Sequence, residues 1–268
     1  MENKFQKCFG HKKVIIGMIH VGALPGTPAY AGNDEQIVEQ ALAEAAIYQG
    51  AGVDAIAIEN MHDVPYLKRV VGPEITTMMT LVGYEVKRQT NLPCGIQILA
   101  GANEAALAAA KTARLDFIRA EGFVYGHLAD EGYFESDAGS LLRYRKKIGA
   151  EHIAIFTDIK KKHSAHTLTM DVDLLETAQT AKYFRSDGVI VTGSSTGKVT
   201  SLEELAALEA LDLPVIVGSG VNLDNVADYL ALSDALIVGS WFKKAGYWTN
   251  PLDADRVARF MEKVEGLR

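Results

Sequence analysis

The chain has 268 residues, of which 48% are hydrophobic and 23% are charged. This composition is typical of a globular protein and excludes a disordered, collagen-like or low-complexity chain. The formal charge is −7, from 27 basic and 34 acidic residues, which argues against nucleic-acid binding because such proteins usually present a basic surface. An anionic ligand must therefore be held by a few local groups.

The compartment is predicted from the cysteines and from hydropathy. Cys8 and Cys94 are too few for a disulfide framework and form no CxxC pair, which favours a reducing compartment. Residues 1–13 lack the apolar core of a signal peptide, and no stretch approaches the roughly 18 apolar residues of a spanning helix. We therefore expect a cytoplasmic protein with no integral membrane segment.

Eight short apolar runs, rich in Val and Ile, recur along the chain, and each is followed by a turn and a longer helical segment. The runs cover residues 14–21, 54–60, 94–100, 116–122, 152–159, 187–193, 214–220 and 234–240. Helix starts are predicted at Asn33, Pro73, Asn103, Asp137, Asp171, Ser201, Asn222 and Asp253.

Apolar strands that alternate with helices predict a parallel sheet, because the crossover helices cover both of its faces. Eight such units favour a closed (β/α)₈ TIM barrel over the alternative, an open doubly wound sheet. No linker interrupts the pattern. We therefore expect a single domain over residues 1–268, with a short N-terminal extension over about residues 1–13.

Polar residues at the C-terminal ends of the predicted strands are the candidate site residues, because TIM barrels place their catalytic groups there. In chain order they are His20, Glu59, Asn60, Gln97, Arg119, Glu121, Asp158, Lys160 to His163, Thr192, Ser219 and Ser240.

Two carboxylates, Glu59 and Asp158, end the second and fifth predicted strands and are expected to lie across the mouth from each other. Such a pair suits a general acid and a general base acting on opposite faces of a substrate. A divalent metal such as Mg²⁺, held by the same two carboxylates, is a further option, but no close HxH or HxxE spacing supports it.

Arg119 and Glu121 lie two residues apart on the fourth strand and should point the same way. If they point inward, they form an ion pair at the mouth. The arginine could then bind a carboxylate, enolate or phosphate oxygen while the glutamate moves a proton, or the pair could be a structural salt bridge.

Three lysines, Lys160 to Lys162, precede His163. A run of this kind is more often solvated than catalytic. One of the lysines could instead neutralise a phosphate or, if buried, form a Schiff base with a carbonyl substrate.

Glycine-rich strand ends give the strongest local signal, at Gly218-Ser219-Gly220 and at Gly239-Ser240. Barrels of this class commonly hold phosphate after strands seven and eight, where backbone N–H groups and a short helix contact the anion. The alternative is that these glycines only permit tight turns. Thr192 and Gly193, after the sixth strand, join this predicted phosphate-binding group.

The sequence from Gly193 to Lys198 resembles a P-loop, but three residues separate its glycines where the motif has four. We therefore reject nucleotide hydrolysis. This loop could close over a ligand, with Lys198 adding charge, or it could be a flexible surface loop.

Two long loops and one segment near the C-terminus are rich in aromatic residues. The loops, residues 60–72 and 122–139, are interpreted as lids or interface elements. The acidic residues of the second loop are interpreted as a solvated edge rather than a metal site; they are Asp130, Glu131, Glu135 and Asp137. The segment 241–248 predicts either a subunit interface, since Trp and Tyr are favoured there, or a cover over the barrel's own edge.

The residues Gly17-Met18-Ile19-His20-Val21-Gly22-Ala23-Leu24-Pro25-Gly26-Thr27-Pro28, with Gly50 to Ala55 and Glu59-Asn60, resemble the BtpA/SgcQ family. Later stretches agree, namely Phe117-Ile118-Arg119, Asp158 with Lys162-His163, Val191-Thr192-Gly193 and Thr196-Gly197. The resemblance covers nearly the whole chain and is closest to SgcQ-like bacterial members.

This resemblance implies a ribulose-phosphate-binding type of barrel and a phosphorylated ligand. SgcQ-like members are associated with sugar phosphotransferase gene clusters, and the family name comes from a protein linked to photosystem I biogenesis. The family motif places His20, Glu59, Asn60, Arg119, Asp158, Lys162 and His163 at the site without assigning roles. The run Lys160 to Lys162 departs from the family, which has apolar or less charged residues before its Lys-His pair.

Two functions are compatible with the sequence. The first is an enzyme of bacterial carbohydrate metabolism, an isomerase, epimerase, lyase or glycosidic-bond enzyme, acting on a small phosphorylated sugar or related metabolite. The second is a non-catalytic assembly or regulatory factor that uses the barrel as a scaffold. The density of ionisable residues at the strand ends favours the enzyme. We expect a homo-oligomer in either case.

Overall fold

Eight parallel strands form a closed barrel in the computed structural model, which describes residues 2–10, 13–193 and 200–268. Around the barrel, neighbouring strands follow the chain order, and the last strand pairs with the first. The barrel strands are β1 (Val14–His20), β2 (Ala55–Glu59), β3 (Cys94–Gln97), β4 (Phe117–Ala120), β7 (Ala154–Ile159), β9 (Gly188–Val191), β10 (Val215–Val217) and β11 (Ala235–Val238). The predicted TIM barrel is confirmed.

Helices cover the outside of the barrel. Those that follow barrel strands are α2 (Asp34–Gly50), α3 (Pro73–Thr90), α4 (Asn103–Thr112), α5 (Ala138–Lys147), α6 (Leu174–Tyr183), α7 (Leu202–Ala207), α8 (Val226–Leu232) and α9 (Ala254–Glu265). Asn33, Ser201 and Asp253 cap their helices through their side chains, as predicted. Asp137 also occupies the predicted cap position, without a side-chain cap bond.

The predicted starts at Asp171 and Asn222 are wrong by a few residues. Asp173, not Asp171, accepts the cap hydrogen bond of α6, from the N–H of Glu176. Asn222 accepts hydrogen bonds from the N–H groups of Asp224 and Asn225, so it stabilises a turn before α8 begins.

The strands are buried along their whole length because both of their faces are covered. Alternate residues such as Val14, Ile16 and Met18 pack with Phe117 and Phe156 inside the barrel. The residues between them pack outward against the helices in the larger core cluster. Since both faces are apolar, the strands show continuous hydrophobic runs in the sequence.

A short helix that was not predicted from the sequence, α1 (Lys4–Phe9), closes the floor of the barrel. Its two phenylalanines, Phe5 and Phe9, contact Phe156 with ring centroids 5.9 and 6.0 Å apart, and Phe9 also contacts Phe117 at 5.5 Å. The predicted N-terminal extension therefore contains a floor plug.

A second unpredicted element, a three-stranded antiparallel sheet, lies beside the barrel mouth. It consists of β5 (His127–Ala129), β6 (Gly132–Phe134) and β8 (Ser164–Ala165), in the order β6-β5-β8. Two loops that follow different barrel strands are therefore joined by hydrogen bonds. We call this element the mouth sheet.

Arg69 holds the mouth sheet in place. Its guanidinium donates to the carbonyl oxygens of Gly101, Glu121, Gly122 and Glu135 and to the carboxylate of Asp137. Asp137 is thus only partly exposed and bonded, which corrects the prediction of a solvated acidic edge at this residue.

The aromatic segment 241–248 packs against its own barrel. The indole of Trp241 lies 5.4 Å from the ring of Phe260 in α9, and the ring of Trp248 lies 6.2 Å from that of His20. Lys243 is fully buried in an ion pair with Glu44 of α2. These contacts favour the second of the two predicted roles, a cover over the barrel's own edge.

No helix of the described residues is long and apolar enough to cross a membrane.

Candidate active site at the barrel mouth

Two adjoining cavities open at the C-terminal ends of the barrel strands, with volumes of about 170 and 300 Å³. Glu59, Arg119 and Lys162 line both of them. The smaller cavity is also lined by predicted residues, namely His20, Gly218, Ser219, Gly220, Gly239 and Ser240. The larger one is also lined by Gln97, Glu121, Asp158 and His163. The structure therefore brings most of the predicted site residues together.

Arg119 and Asp158 form a buried, two-pronged ion pair. The Nε and one terminal nitrogen of the guanidinium each lie 2.8 Å from a different carboxylate oxygen of Asp158. The predicted ion pair between Arg119 and Glu121 is therefore wrong. Asp158, on the neighbouring strand β7, faces the guanidinium, whereas Glu121 lies beyond the end of β4.

Glu121 instead binds a lysine of the loop after β7. Its Oε1 accepts a hydrogen bond from the Nζ of Lys161 at 3.1 Å, and its Oε2 is buried with no partner among the described residues. Lys160 donates to the carbonyl oxygen of Thr169 at 2.8 Å. The prediction of a solvated lysine run is wrong, because the mouth sheet folds these residues over the barrel.

Of the three lysines in this run, Lys160 and Lys161 have bonded amines, whereas the amine of Lys162 makes no hydrogen bond or ion pair with the described residues. Burial lowers the pKa of Lys162, and the nearby positive charge of Arg119 lowers it further. A lysine amine with a lowered pKa loses its proton more readily than an exposed lysine amine does.

The pKa of Glu59, which ends β2, is shifted in the opposite direction. Its pKa is raised because burial disfavours the charged carboxylate, and the positive charges of Arg119 and Lys162 only partly offset this effect. Glu59 and Lys162 are thus a buried acid and a half-buried base whose pKa values are shifted toward one another. Such shifts are typical of groups that exchange protons with a ligand.

His20 lies beside Glu59, with 3.8 Å between its Nε2 and a carboxylate oxygen. Its Nδ1 is 3.3 Å from the carbonyl oxygen of Trp248, which can only accept a hydrogen bond. This contact leaves Nε2 as the unprotonated nitrogen of a neutral ring. Burial lowers the pKa of His20 to about 3, so the imidazole is neutral at physiological pH.

Three of the candidate site residues, Asn60, Thr192 and Ser219, use their side chains to hold the loops. Asn60 accepts from the N–H of Leu99 and donates to Asp63, and it lines neither of the two cavities. Thr192 accepts from the N–H of Lys162 at 3.0 Å, and Ser219 accepts from the N–H of Gly193 at 3.1 Å. These bonds join the loops that follow β7, β9 and β10.

Two glycines of the smaller cavity bring the backbone close to its neighbours. A Cβ atom at Gly218 would lie 2.5 Å from Ile190, and one at Gly239 would lie 3.1 Å from the Nε2 of His20. Gly220 has a φ of +74°, which side chains rarely adopt. The predicted loop from Gly193 to Lys198 lies, except for Gly193, outside the described residues.

The structure does not favour a metal held by Glu59 and Asp158. Both oxygens of Asp158 already accept hydrogen bonds from Arg119. Within residues 2–10, 13–193 and 200–268, no group of three or more His, Cys, Asp or Glu side chains is arranged to hold a metal ion.

Several residues at the mouth were not predicted as site residues. Glu131, Met61, Tyr66 and Trp248 line the larger cavity but come from loops distant in sequence. Glu131 lies at the tip of the hairpin formed by β5 and β6, and the acidic character of that loop was its only signal. His163, which was predicted, lies at the cavity rim with 45% of its side chain exposed.

The chain matches the model of the BtpA family over residues 11–266. A Caenorhabditis elegans protein whose name describes it as uncharacterised and mitochondrial is 49% identical over 263 residues, with 96% of this chain and 95% of the relative covered. The photosystem I biogenesis protein BtpA of Synechocystis is 33% identical over 257 residues, with 95% and 89% covered.

Solved structures share the fold at low sequence identity. Phosphoribosyl anthranilate isomerase from Thermus thermophilus is similar with a TM-score of 0.58 and 15% identity, with 95% of this chain and all of that chain covered. Tryptophan synthase from M. tuberculosis has a TM-score of 0.61 and 15% identity, with 97% and 96% covered. At these identities the likeness concerns the barrel alone.

Proposed function

Because this chain belongs to the BtpA family and folds as a (β/α)₈ barrel, we propose that it is an enzyme that transfers protons on a small phosphorylated metabolite. One observation carries the proposal. Glu59 and Lys162, whose pKa values are shifted in opposite directions, line both mouth cavities next to the glycine-rich strand ends. The paired shifts support acid and base chemistry at one substrate atom.

The phosphate is proposed to bind in the smaller cavity. Ser219, Gly220, Gly239 and Ser240 supply backbone N–H groups there, after the seventh and eighth barrel strands, whereas the N–H of Gly218 already donates to the carbonyl oxygen of Val191. A Cβ atom at Gly218 would collide with Ile190 and one at Gly239 would crowd His20, so both positions keep a bare backbone beside the cavity. Many barrels bind phosphate at the same place, with backbone donors and the start of a short helix.

The reacting atoms are proposed to lie between the two cavities. In this arrangement Lys162 accepts or donates the proton, Glu59 serves as its counterpart, and Arg119 stabilises negative charge that develops on an oxygen. Asp158 acts as a positioning residue, because both of its oxygens hold Arg119. His20, Glu121 and His163 complete the proposed site around this centre.

Lys162 supports a second route for a carbonyl substrate. Its neutral amine can add to the carbonyl carbon, and loss of water then gives an imine that draws electrons from the neighbouring carbon. Removal of a proton from the substrate then becomes easier, and this step can begin an isomerisation, an epimerisation or a lyase reaction.

Ligand binding is the first test. We expect inorganic phosphate and sugar phosphates, but not the matching unphosphorylated sugars, to raise the midpoint of thermal unfolding. A ligand at 100 times its dissociation constant adds about 2.7 kcal/mol, which for this size is a shift of roughly 5–10 °C. The titrations are run with and without Mg²⁺, which tests the metal option. No shift with any phosphate would overturn the proposed phosphate site.

Proton transfer is tested without knowledge of the complete reaction. Each ligand that binds is incubated with the protein in D₂O, and exchange of carbon-bound hydrogen is followed by proton NMR. We expect exchange that Glu59→Gln and Lys162→Met each reduce at least about 100-fold, as for loss of a general acid or base. Lys147→Met, at an exposed helix position, is the control. Bound ligands that never exchange hydrogen would contradict the proposal.

The name of the Synechocystis relative supports an assembly or regulatory function as the second candidate. This function predicts a stable complex with a protein partner that survives Glu59→Gln and Lys162→Met.

We propose that the protein acts in the cytoplasm, as a homo-oligomer, in bacterial carbohydrate metabolism. The relative named as mitochondrial makes cell fractionation the direct test of the compartment.

A further inference from the structure

Three buried hydrogen-bond acceptors, carried by residues that line the larger cavity, have no partner among the described residues. They are Oε1 of Gln97, Oε2 of Glu121 and Oε2 of Glu131. Gln97 is 2% exposed and Glu121 is 6% exposed. Buried polar atoms are nearly always paired in folded proteins, because an unpaired one keeps the full cost of its lost hydration. Three of them around one cavity indicate a ligand that would complete their hydrogen bonds.

Different elements place these three acceptors together. Gln97 ends β3 next to Glu59 in the parallel register, Glu121 follows β4, and Glu131 lies at the tip of the mouth sheet. We call the group of Gln97, Glu121 and Glu131 the acceptor wall. The acceptor wall belongs to the larger cavity alone, whereas the glycine-rich strand ends belong to the smaller one.

The chemistry of the acceptor wall defines what it can bind. A carboxylate oxygen and an amide oxygen only accept hydrogen bonds, so their partner must be a donor. Lys161 already supplies one donor, at 3.1 Å from Oε1 of Glu121, and its positive charge disfavours a bound cation. Val64 and Leu99 give the rest of the cavity apolar surface. Neutral hydroxyl groups on a carbon chain meet all of these conditions.

We infer that the acceptor wall binds the hydroxyl groups of a polyhydroxylated phosphate ester, whose phosphate lies at the glycine-rich strand ends. This inference rests on the proposed function and names the class of its substrate. The ester reaches from one cavity to the other past Glu59, Arg119 and Lys162, which line both. Its reacting carbon lies between the phosphate and the hydroxyl groups.

The test compares three probes by calorimetry with the full chain. Ribitol 5-phosphate carries phosphate and hydroxyls, pentyl phosphate has the same carbon chain without hydroxyls, and inorganic phosphate reports the anion site alone. We expect ribitol 5-phosphate to bind at least roughly tenfold more tightly than pentyl phosphate, as two or more hydrogen bonds of ordinary strength would give. Equal or weaker binding of ribitol 5-phosphate would overturn the inference.

Two variants assign the selectivity to the wall. Gln97→Leu and Glu131→Leu remove acceptors and should each lower the preference for ribitol 5-phosphate several-fold, with the affinity for inorganic phosphate unchanged. Glu135→Leu, an exposed residue of the same loop, should keep the preference. A preference that survives both wall variants would contradict the assignment.

Stability gives a second readout that needs no ligand. Because the Oε1 of Gln97 is buried without a partner, Gln97→Leu should raise the midpoint of thermal unfolding by roughly 2–4 °C. A lowered midpoint would show that this atom is satisfied in the folded protein and would count against the wall. If inorganic phosphate fails to bind, the proposed phosphate site fails, whereas a failed comparison between ribitol 5-phosphate and pentyl phosphate refutes the wall alone.

Discussion

His20 shows how burial fixes the charge of a single residue at the mouth. The residue is 5% exposed, and its ring lies near Glu59 and the positive charges of Lys162 and Lys243. Burial lowers its pKa to about 3, from an ordinary value of 6.5. The neutral ring can accept a hydrogen bond from a ligand at Nε2 without first losing a proton.

This shift predicts a pH-dependent stability. Between pH 6.5 and about 3 the unfolded chain binds a proton at this position and the folded chain does not, so acid destabilises the fold. At pH 5 this proton binding lowers the free energy of unfolding by about 2 kcal/mol, and above pH 7 the effect is absent. In urea unfolding, His20→Gln should therefore lose less stability than the natural protein between pH 7 and pH 5. The exposed residue His152 supplies the control variant His152→Gln, and an unchanged slope for His20→Gln would contradict the prediction.

Gly218 illustrates a residue that is required for its lack of a side chain. A Cβ atom there would lie 2.5 Å from Ile190 and 3.0 Å from Thr192. Gly218→Ala should cost about 1–3 kcal/mol of unfolding free energy, as overpacking in a core does. Gly50 ends α2 with nothing within 4 Å of its missing Cβ, so Gly50→Ala should stabilise by about 0.5–1 kcal/mol. Chemical denaturation of both variants checks the opposite signs.

Residue pairings were harder to predict than residue positions. The sequence placed Arg119, Glu121 and Asp158 at strand ends, where the structure has them. The sequence could not show that Arg119 would bind Asp158. The partner of Arg119 depends on which strand lies beside β4 and on how the backbone turns after each strand ends. The same reason applies to Glu131, which reaches the cavity through a hairpin tip.

At the scale of elements, long and strongly patterned segments were predicted and short ones were missed. The strands of the mouth sheet have three, three and two residues, too few to show an alternating pattern. Helix α1 did carry a signal, because Asn3 and Gln6 form a capping box and its two phenylalanines are four residues apart. With only six residues, this helix depends on its contacts with the barrel.

Arg69 is predicted to control the stability of the mouth sheet. It donates to four carbonyl oxygens and one carboxylate in different loops, and a lysine ammonium cannot reproduce this planar pattern. Arg69→Lys should therefore weaken the mouth sheet by about 2–3 kcal/mol. Hydrogen exchange should become faster over residues 122–135 and remain unchanged in β1 and β11. Arg114→Lys, at an exposed position, should show no such effect.

At the scale of the whole molecule, the barrel depends on contacts between distant parts of the chain. Val14 pairs with Ala235 where the barrel closes, and the side chains of α1 fill the floor beneath β4 and β7. These contacts follow from the closed topology, which the eight regular repeats predicted correctly.

The floor plug provides a test of this dependence. Phe9 is 8% exposed and contacts Phe5, Phe117 and Phe156. Phe9→Ala should cost about 3–5 kcal/mol, as for other buried phenylalanines. Lys7 lies on the exposed side of the same helix, so Lys7→Ala should change the free energy of unfolding by less than about 0.5 kcal/mol. Equal effects of the two substitutions in equilibrium unfolding would show that the plug does not stabilise the barrel.

The plug and the last residue share one pole of the molecule. Lys4 bonds Asp187 just before β9, and Arg268 bonds Asp54 just before β2, so both lie at the floor, while the cavities open at the opposite pole. Attachment to a sensor chip or a fluorescent reporter through either end therefore leaves the mouth turned toward the solution. Immobilised protein can then be screened against metabolite libraries without the support obstructing ligand entry.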